Sequence, residues 1–238
     1  MELASPRSTH QERPDSLAGR IYARLKADIC EFRLLPGDRF SEGDVAERMA
    51  ASRTPVRQAL HRLEREGYLE VRFRSGWQVK AFDFDHFEEL YELRIVLELE
   101  AVRRHCTRPT EEQPEALQRL SRTWIVQPQL DDGFEVSRLD EDFHCNLVEA
   151  AGNREMARIH REVSEKIRII RRLDFTQAPR IDATYAEHGA ILRAIAERRC
   201  EEAQQLLRTH IETSKAEVRK ITLHMLHSAR QRPQPAQG

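Results

Sequence analysis

The sequence has few cysteines, glycines and prolines, and it has no long apolar run. Its four cysteines are scattered without a Cys-x-x-Cys pair, so we expect reduced, buried thiols of a cytoplasmic protein. No segment approaches the roughly 20 apolar residues that a membrane span needs, and no basic-then-apolar leader suggests export. Only 9 Gly and 10 Pro, with abundant Leu, Ala, Glu and Arg, predict a mainly helical fold.

The sequence also has almost no net charge. Lys and Arg number 39 against 40 Asp and Glu, a balance of −1 that argues at face value against nucleic-acid binding. The balance is uneven along the chain, because residues 52–80 carry 7 basic and 3 acidic side chains while residues 81–238 carry 24 and 28. This asymmetry favours a small anion-binding module on an acidic body.

Hydrophobic spacing predicts three short helices and a hairpin near the N-terminus. An apolar stripe at intervals of three and four runs from Leu17 to Phe32, and Pro36-Gly37 ends this helix. Ser41 with Asp44 predicts a capped second helix, and Ser52 caps a third. Alternating apolar residues then predict a β-hairpin with Gly76 in its turn. Together these elements are typical of a winged helix-turn-helix.

The rest of the chain is predicted to be all-helical. The fold class is therefore mainly α, with an N-terminal winged helix-turn-helix followed by a six-helix bundle. The predicted domains are a disordered terminus over 1–16, a DNA-binding domain over 17–81, an effector-binding and dimerisation domain over 82–227, and a flexible tail over 228–238. The six bundle helices are predicted near 84–106, 110–126, 134–151, 153–173, 179–198 and 200–227.

The start of the third helix has the residue types that bind DNA in a major groove. Backbone amides and hydroxyls there suit phosphates, and arginine forks suit guanine edges. Arg72 and Arg74 on the hairpin would reach the neighbouring backbone or minor groove. The segment that carries this chemistry is Ser52-Arg53-Thr54-Pro55-Val56-Arg57-Gln58-Ala59-Leu60.

With Pro36-Gly37 before it and Gly76 after it, this segment resembles the GntR family of bacterial transcription regulators. The resemblance implies that Arg53, Thr54, Arg57 and the wing Gly76 contact operator DNA, and that Ser52 binds a phosphate. Many members carry a basic residue where this chain has Gly43. The helical region after residue 82 resembles the FCD effector domain of the FadR subfamily, and is closer to its shorter VanR-like branch.

Four residues in the bundle have the spacing of a metal site. Asp140 and His144 are four apart and share one helix face. His188 and His210 are each 11 residues from the break near Arg199, so an antiparallel hairpin places them at the same height. One carboxylate and three imidazoles suit a divalent ion such as Zn, Ni or Mn. The subfamily's metal set, Asp-x-x-x-His, His and His, falls on these four positions.

The function that follows is a ligand-responsive repressor that binds a palindromic operator as a homodimer. The resemblance implies a small organic acid as effector, bound at the metal. Arg94, which matches the family's first bundle helix, is predicted to pair with the effector carboxylate or to hold a metal-binding carboxylate.

Two other functions are weighed. The bundle could serve only for dimerisation, with a structural metal. A metal-dependent enzyme is the more remote alternative, because Glu141-x-x-His144 is half of a di-iron signature that needs a second Glu-x-x-His. The positions three before His188 and His210 are Tyr185 and Leu207, and no HExxH, GxSxG or phosphate-binding loop occurs.

Overall fold

The computed structural model describes residues 16–73, 76–109, 114–175, 178–218 and 220. The chain divides into two compact units, Met1–Phe82 and Asp83–Gly238. Of the disordered terminus predicted over 1–16, residues 1–15 lie outside the described residues, as does the predicted tail over 228–238. Ser16 is described, and its hydroxyl caps the first helix by accepting from the Gly19 amide. In the described part of the chain, no helix combines the length and the apolar character needed to cross a bilayer.

The first unit has three helices and a three-stranded antiparallel sheet. The helices are α1 (Leu17–Cys30), α2 (Glu42–Arg48) and α3 (Arg53–Arg65). The strands β1 (Arg39–Phe40), β2 (Leu69–Arg72) and β3 (Gly76–Val79) pair in the order β1-β3-β2. The core is formed by apolar side chains of α1, α3 and β3, namely Ile21, Leu25, Ile29, Val56, Leu60, Leu63, Trp77 and Val79.

The capped start of α2 is confirmed. The Ser41 hydroxyl accepts a hydrogen bond from the Asp44 amide, and the Asp44 carboxylate accepts one from the Ser41 amide. Ser52 occupies the N-cap position of α3 as predicted, but its hydroxyl makes no capping hydrogen bond. The Ser52 side chain is exposed at the helix start and has no capping role.

Two predictions for this unit were wrong in detail. The first helix ends at Cys30, because Phe32 adopts a left-handed backbone with φ +59° and turns its ring into the core outside the helix. Strand β1 was missed, since two residues are too few to show an alternating pattern. Gly76, predicted in the turn of the hairpin, is instead the first residue of β3 and pairs with Arg72 of β2.

The second unit contains six helices in its described residues, as predicted. The short α5 continues into one π-helical turn, Arg122–Val126, before α6 begins. The predicted break at Gly152-Asn153 is confirmed, because Gly152 has φ +82° and the Asn153 side chain caps the next helix. The helices are α4 (Phe84–Thr107), α5 (Glu115–Ser121), α6 (Gly133–Ala150), α7 (Arg154–Asp174), α8 (Ala178–Ala196) and α9 (Cys200–Val218).

Candidate metal centre and DNA-binding surface

Four buried side chains from three helices converge on one point. Asp140 and His144 come from α6, His188 from α8 and His210 from α9. Each offers one ligand atom, and these atoms all lie within 4.8 Å of one another. The structure therefore brings together the four residues that the sequence spacing selects.

Four of five separations between the ligand atoms match those around a single ion, and the fifth, between His210 Nε2 and Asp140 Oδ1, is longer. His144 Nε2 and His188 Nε2 lie 3.2 and 3.3 Å from His210 Nε2. The three Nε2 atoms lie 3.5, 3.4 and 3.9 Å from Asp140 Oδ1. Ligands at about 2.1 Å from a common ion are roughly 3.0–3.5 Å apart in octahedral or tetrahedral coordination. The N₃O donor set therefore fits a divalent first-row metal.

Hydrogen bonds to carboxylates fix two of the three imidazole rings. His144 Nδ1 lies 2.6 Å from Glu98 Oε2, and His210 Nδ1 lies 2.5 Å from Glu187 Oε2. A proton on Nδ1 leaves the Nε2 lone pair directed at the centre, as metal binding requires. The His188 ring is held by aromatic packing instead, since it stacks on the Phe143 ring with the ring centroids 3.7 Å apart.

The protonation states at neutral pH are those of metal ligands. Burial raises the pKa of Asp140, but the Arg171 guanidinium together with His144 and His188 outweighs burial and holds this pKa well below its usual range. Burial lowers the pKa of His144 to about 4 and that of His188 well below its usual value. The carboxylate is therefore charged, and these two imidazoles are neutral, before any metal binds.

Arg94, predicted to pair with the effector carboxylate or to hold a metal-binding carboxylate, pairs with Glu98. Its side chain is 1% exposed, and its Nε donates to Glu98 Oε1 at 2.5 Å. Glu98 is not among the four candidate ligands, and the arginine on Asp140 is Arg171 from α7. Arg94 Nη2 is buried and has no hydrogen-bond partner among the described residues.

The predicted DNA-contacting side chains of α3 lie together on its exposed first two turns. Ser52, Arg53, Thr54 and Arg57 are all exposed. Arg57 forms a two-pronged ion pair with Glu42, with Nε 3.0 Å from Oε1 and Nη2 2.9 Å from Oε2. This surface thus presents hydroxyls and guanidinium groups at a helix N-terminus.

The hairpin residues are placed differently from one another. Arg72 is exposed but bonded within the sheet, to Glu70 at 2.6 Å and to Gln78 at 3.0 Å. Arg74 lies outside the described residues. Gly76 has φ +78°, and a Cβ there would be 2.7 Å from the Phe40 carbonyl oxygen. The positive φ and the close Phe40 oxygen therefore favour glycine at position 76 independently of any contact with DNA.

Comparisons with known families agree with this geometry. Residues 17–79 match the bacterial regulatory proteins of the gntR family, and residues 89–213 match the FCD domain. The chain belongs to the GntR family. It is a DNA-binding transcriptional regulator of the GntR type with an FCD domain, which is consistent with the FadR/VanR-like subfamily.

Relatives of this GntR-family chain are regulators, not enzymes. The Nta operon transcriptional regulator of Aminobacter aminovorans is 33% identical over 76% of this chain and 84% of its own length. The HTH-type transcriptional repressor RspR of Escherichia coli K12 is 26% identical over 85% and 89%. A GntR regulator structure from Rhodococcus sp. RHA1 is similar in fold, with a TM-score of 0.66 at 24% identity over 86% of this chain and 98% of that one.

Sequence reasoning about this GntR-family chain missed the residues that surround the candidate ligands. Glu98 carried a signal, because it stands four residues after Arg94 on the same helix face. Arg171 had no such signal in the sequence, since it is one of several arginines on α7. Only the packing of α7 on α6 determines that Arg171 is the one that reaches Asp140. The other missed residues are Glu187, which bonds His210, and His160, which lies 3.0 Å from Glu98.

Proposed function

We propose that this GntR-family regulator is a repressor that binds a palindromic operator as a homodimer and senses a small organic acid at a divalent metal ion. The observation that carries the proposal is the convergence of one carboxylate oxygen and three imidazole nitrogens within 4.8 Å. The similarity to a relative named as a transcriptional repressor supports the direction of regulation. Like other regulators of bacterial genes, the protein would act in the cytoplasm, where the DNA lies.

Asp140, His144, His188 and His210 would hold a Zn, Ni or Mn ion in this proposal. Bound there, the ion would supply a positive charge and open coordination positions for carboxylate oxygens. Glu98, Glu187 and Arg171 would orient His144, His210 and Asp140, and Phe143 would hold the His188 ring by stacking. The buried Arg94 Nη2 donor has no partner among the described residues, and an effector carboxylate would satisfy it.

The DNA-binding unit would act in pairs. A two-fold symmetric dimer requires a two-fold symmetric operator, so each recognition helix α3 would occupy one half-site. Arg53, Thr54 and Arg57 would contact bases, Ser52 would bind a phosphate, and Arg72 and Arg74 would contact the flanking backbone. An effector shifts DNA binding only by its different affinities for two arrangements of the dimer.

The test compares the wild-type protein with a variant that combines His188→Ala and His210→Ala. We expect the purified wild-type protein to retain about one equivalent of metal per chain, and an active organic acid to weaken its operator binding. The double variant is expected to retain no metal and to bind the operator whether or not the acid is present. Elemental analysis and operator titrations measure both effects.

The matched control is His86→Ala, which removes an exposed histidine of α4 outside the centre. It is expected to keep the metal and the response. Full metal occupancy in the double variant would refute the site. If no organic acid changes operator affinity while EDTA unfolds the bundle, the metal is structural and the bundle serves only for dimerisation.

A further inference from the structure

The pair between Glu42 and Arg57 joins the first turn of α2 to the second turn of α3. The Glu42 carboxylate accepts from Arg57 Nε at 3.0 and 3.2 Å and from Arg57 Nη2 at 2.9 Å. The Arg57 side chain is nevertheless 61% exposed, against 23% for Glu42. The Glu42 carboxylate therefore lies on the inner side of the Arg57 guanidinium, and the outer side of the guanidinium stays exposed to solvent.

The contacts use only one edge of the guanidinium. Of its five N–H groups, the pair uses the Nε–H and one Nη2–H. The outer edge, formed by Nη1 and the remaining Nη2–H, has no hydrogen bond within the described residues. Two parallel N–H groups on one edge of an arginine match the O6 and N7 acceptors of guanine in the major groove.

We propose that Glu42 is a positioning residue for base recognition, which holds Arg57 by its inner edge so that its outer edge faces a guanine. This inference rests on the proposed function, because it requires Arg57 to reach a base. It assigns to α2 a part in sequence specificity that involves no contact between Glu42 and DNA.

The surroundings of Glu42 suit such a role. Its backbone is fixed by the reciprocal Ser41 and Asp44 hydrogen bonds at the start of α2. An unpaired carboxylate on a DNA-binding surface would repel phosphates, but here its charge is cancelled by Arg57. A free arginine samples many rotamers, so fixing one in advance removes an entropic cost from the bound state.

The experiment binds the full chain to DNA duplexes with a randomised core and sequences the bound fraction. The wild-type protein defines the base preference at each position, and Arg57→Ala identifies the guanine whose preference depends on Arg57. We expect Glu42→Gln to reduce the preference for that guanine about five-fold or more, with the other positions unchanged. In an Arg57→Lys background, which lacks the two-edged guanidinium, Glu42→Gln is expected to have no effect at that position.

Glu47→Gln is the matched control, since it removes the same charge from an exposed position of α2 that does not contact Arg57. It is expected to change overall affinity without changing base preference. The proposal is overturned if Glu42→Gln retains the guanine preference, or if it only strengthens binding to all sequences as Glu47→Gln does. If Arg57→Ala loses no base preference, the assignment of Arg57 in the proposed function fails as well, which is a distinct result.

Discussion

Glu98 is the common partner of three buried polar side chains in the second unit. It is fully buried and accepts from Arg94 Nε at 2.5 Å, while His144 Nδ1 and His160 Nε2 lie 2.6 and 3.0 Å from its oxygens. Burial raises the pKa of Glu98, but Arg94 together with His144 and His160 outweighs this effect and holds the pKa well below its usual range. Glu98 and Arg94 therefore form an ion pair in the interior, where each charge requires the other.

Glu98→Gln should strongly destabilise the protein. The substitution leaves the Arg94 charge buried without its counter-ion, and breaking such a pair costs about 3–5 kcal/mol in the free energy of unfolding. Chemical denaturation of EDTA-treated protein, followed by helical circular dichroism, measures the loss. Glu100→Gln is the control on the same helix, because the partly exposed Glu100 pairs among the described residues with Arg103 and Arg104. This substitution should cost less than about 1 kcal/mol. Equal losses in the two variants would contradict the buried-pair assignment.

At the scale of elements, β3 is the central strand of the small sheet. It pairs with β2 through Arg72 opposite Gly76, and with β1 through Phe40 opposite Trp77. Gly76 has a positive φ and lies against the backbone of Phe40. The hairpin is thus joined to the segment before α2 at a point where only glycine fits.

Gly76→Ala should therefore weaken the pairing of β1 with β3. A left-handed backbone costs an alanine about 1–2 kcal/mol, and the close Phe40 oxygen adds a steric term. Gly67→Ala is the control, because Gly67 has φ +83° but nothing within 4 Å of its Cβ position. Hydrogen exchange of the β3 amides is expected to accelerate much more in Gly76→Ala than in Gly67→Ala. Equal effects would mean that the Phe40 contact relaxes without cost.

The elements show which features local sequence can predict. The His188 and His210 juxtaposition follows from equal distances to one turn, since an antiparallel helix pair preserves height. The role of Arg171 does not follow from its spacing, because α7 carries several arginines and the crossing of two helices decides which one is buried. Strand β1 and the left-handed Phe32 also depend on tertiary contacts, with β3 and the core respectively.

At the scale of the whole molecule, acid should destabilise the metal-free protein. Burial lowers the pKa values of His105, His144 and His188 in the folded state. In the unfolded chain a histidine has a pKa of about 6.5, so below that pH the unfolded state binds more protons and is favoured. Glu98 and Asp140, whose folded pKa values are lowered, act in the same direction at lower pH because their stabilisation is lost when they are protonated.

The free energy of unfolding of EDTA-treated protein should be nearly constant between about pH 7.5 and 8 and should decrease between pH 6.5 and 5. Well below pH 6.5, each such histidine contributes a slope of about 1.4 kcal/mol per pH unit until its folded pKa is reached. Denaturant titrations at half-unit intervals of pH measure the slope. A stability that is flat or increases over this range would contradict the burial of neutral histidines.

The position of Trp124 has a practical consequence. Its indole lies edge-on against the His188 ring, with ring centroids 4.2 Å apart. The chain has two tryptophans, and the other, Trp77, is buried in β3 of the first unit. Indole fluorescence responds to its immediate neighbours, so each unit carries one intrinsic optical probe. Events at the histidine cluster and in the small sheet can therefore be followed separately in unlabelled protein, with one tryptophan replaced by phenylalanine at a time.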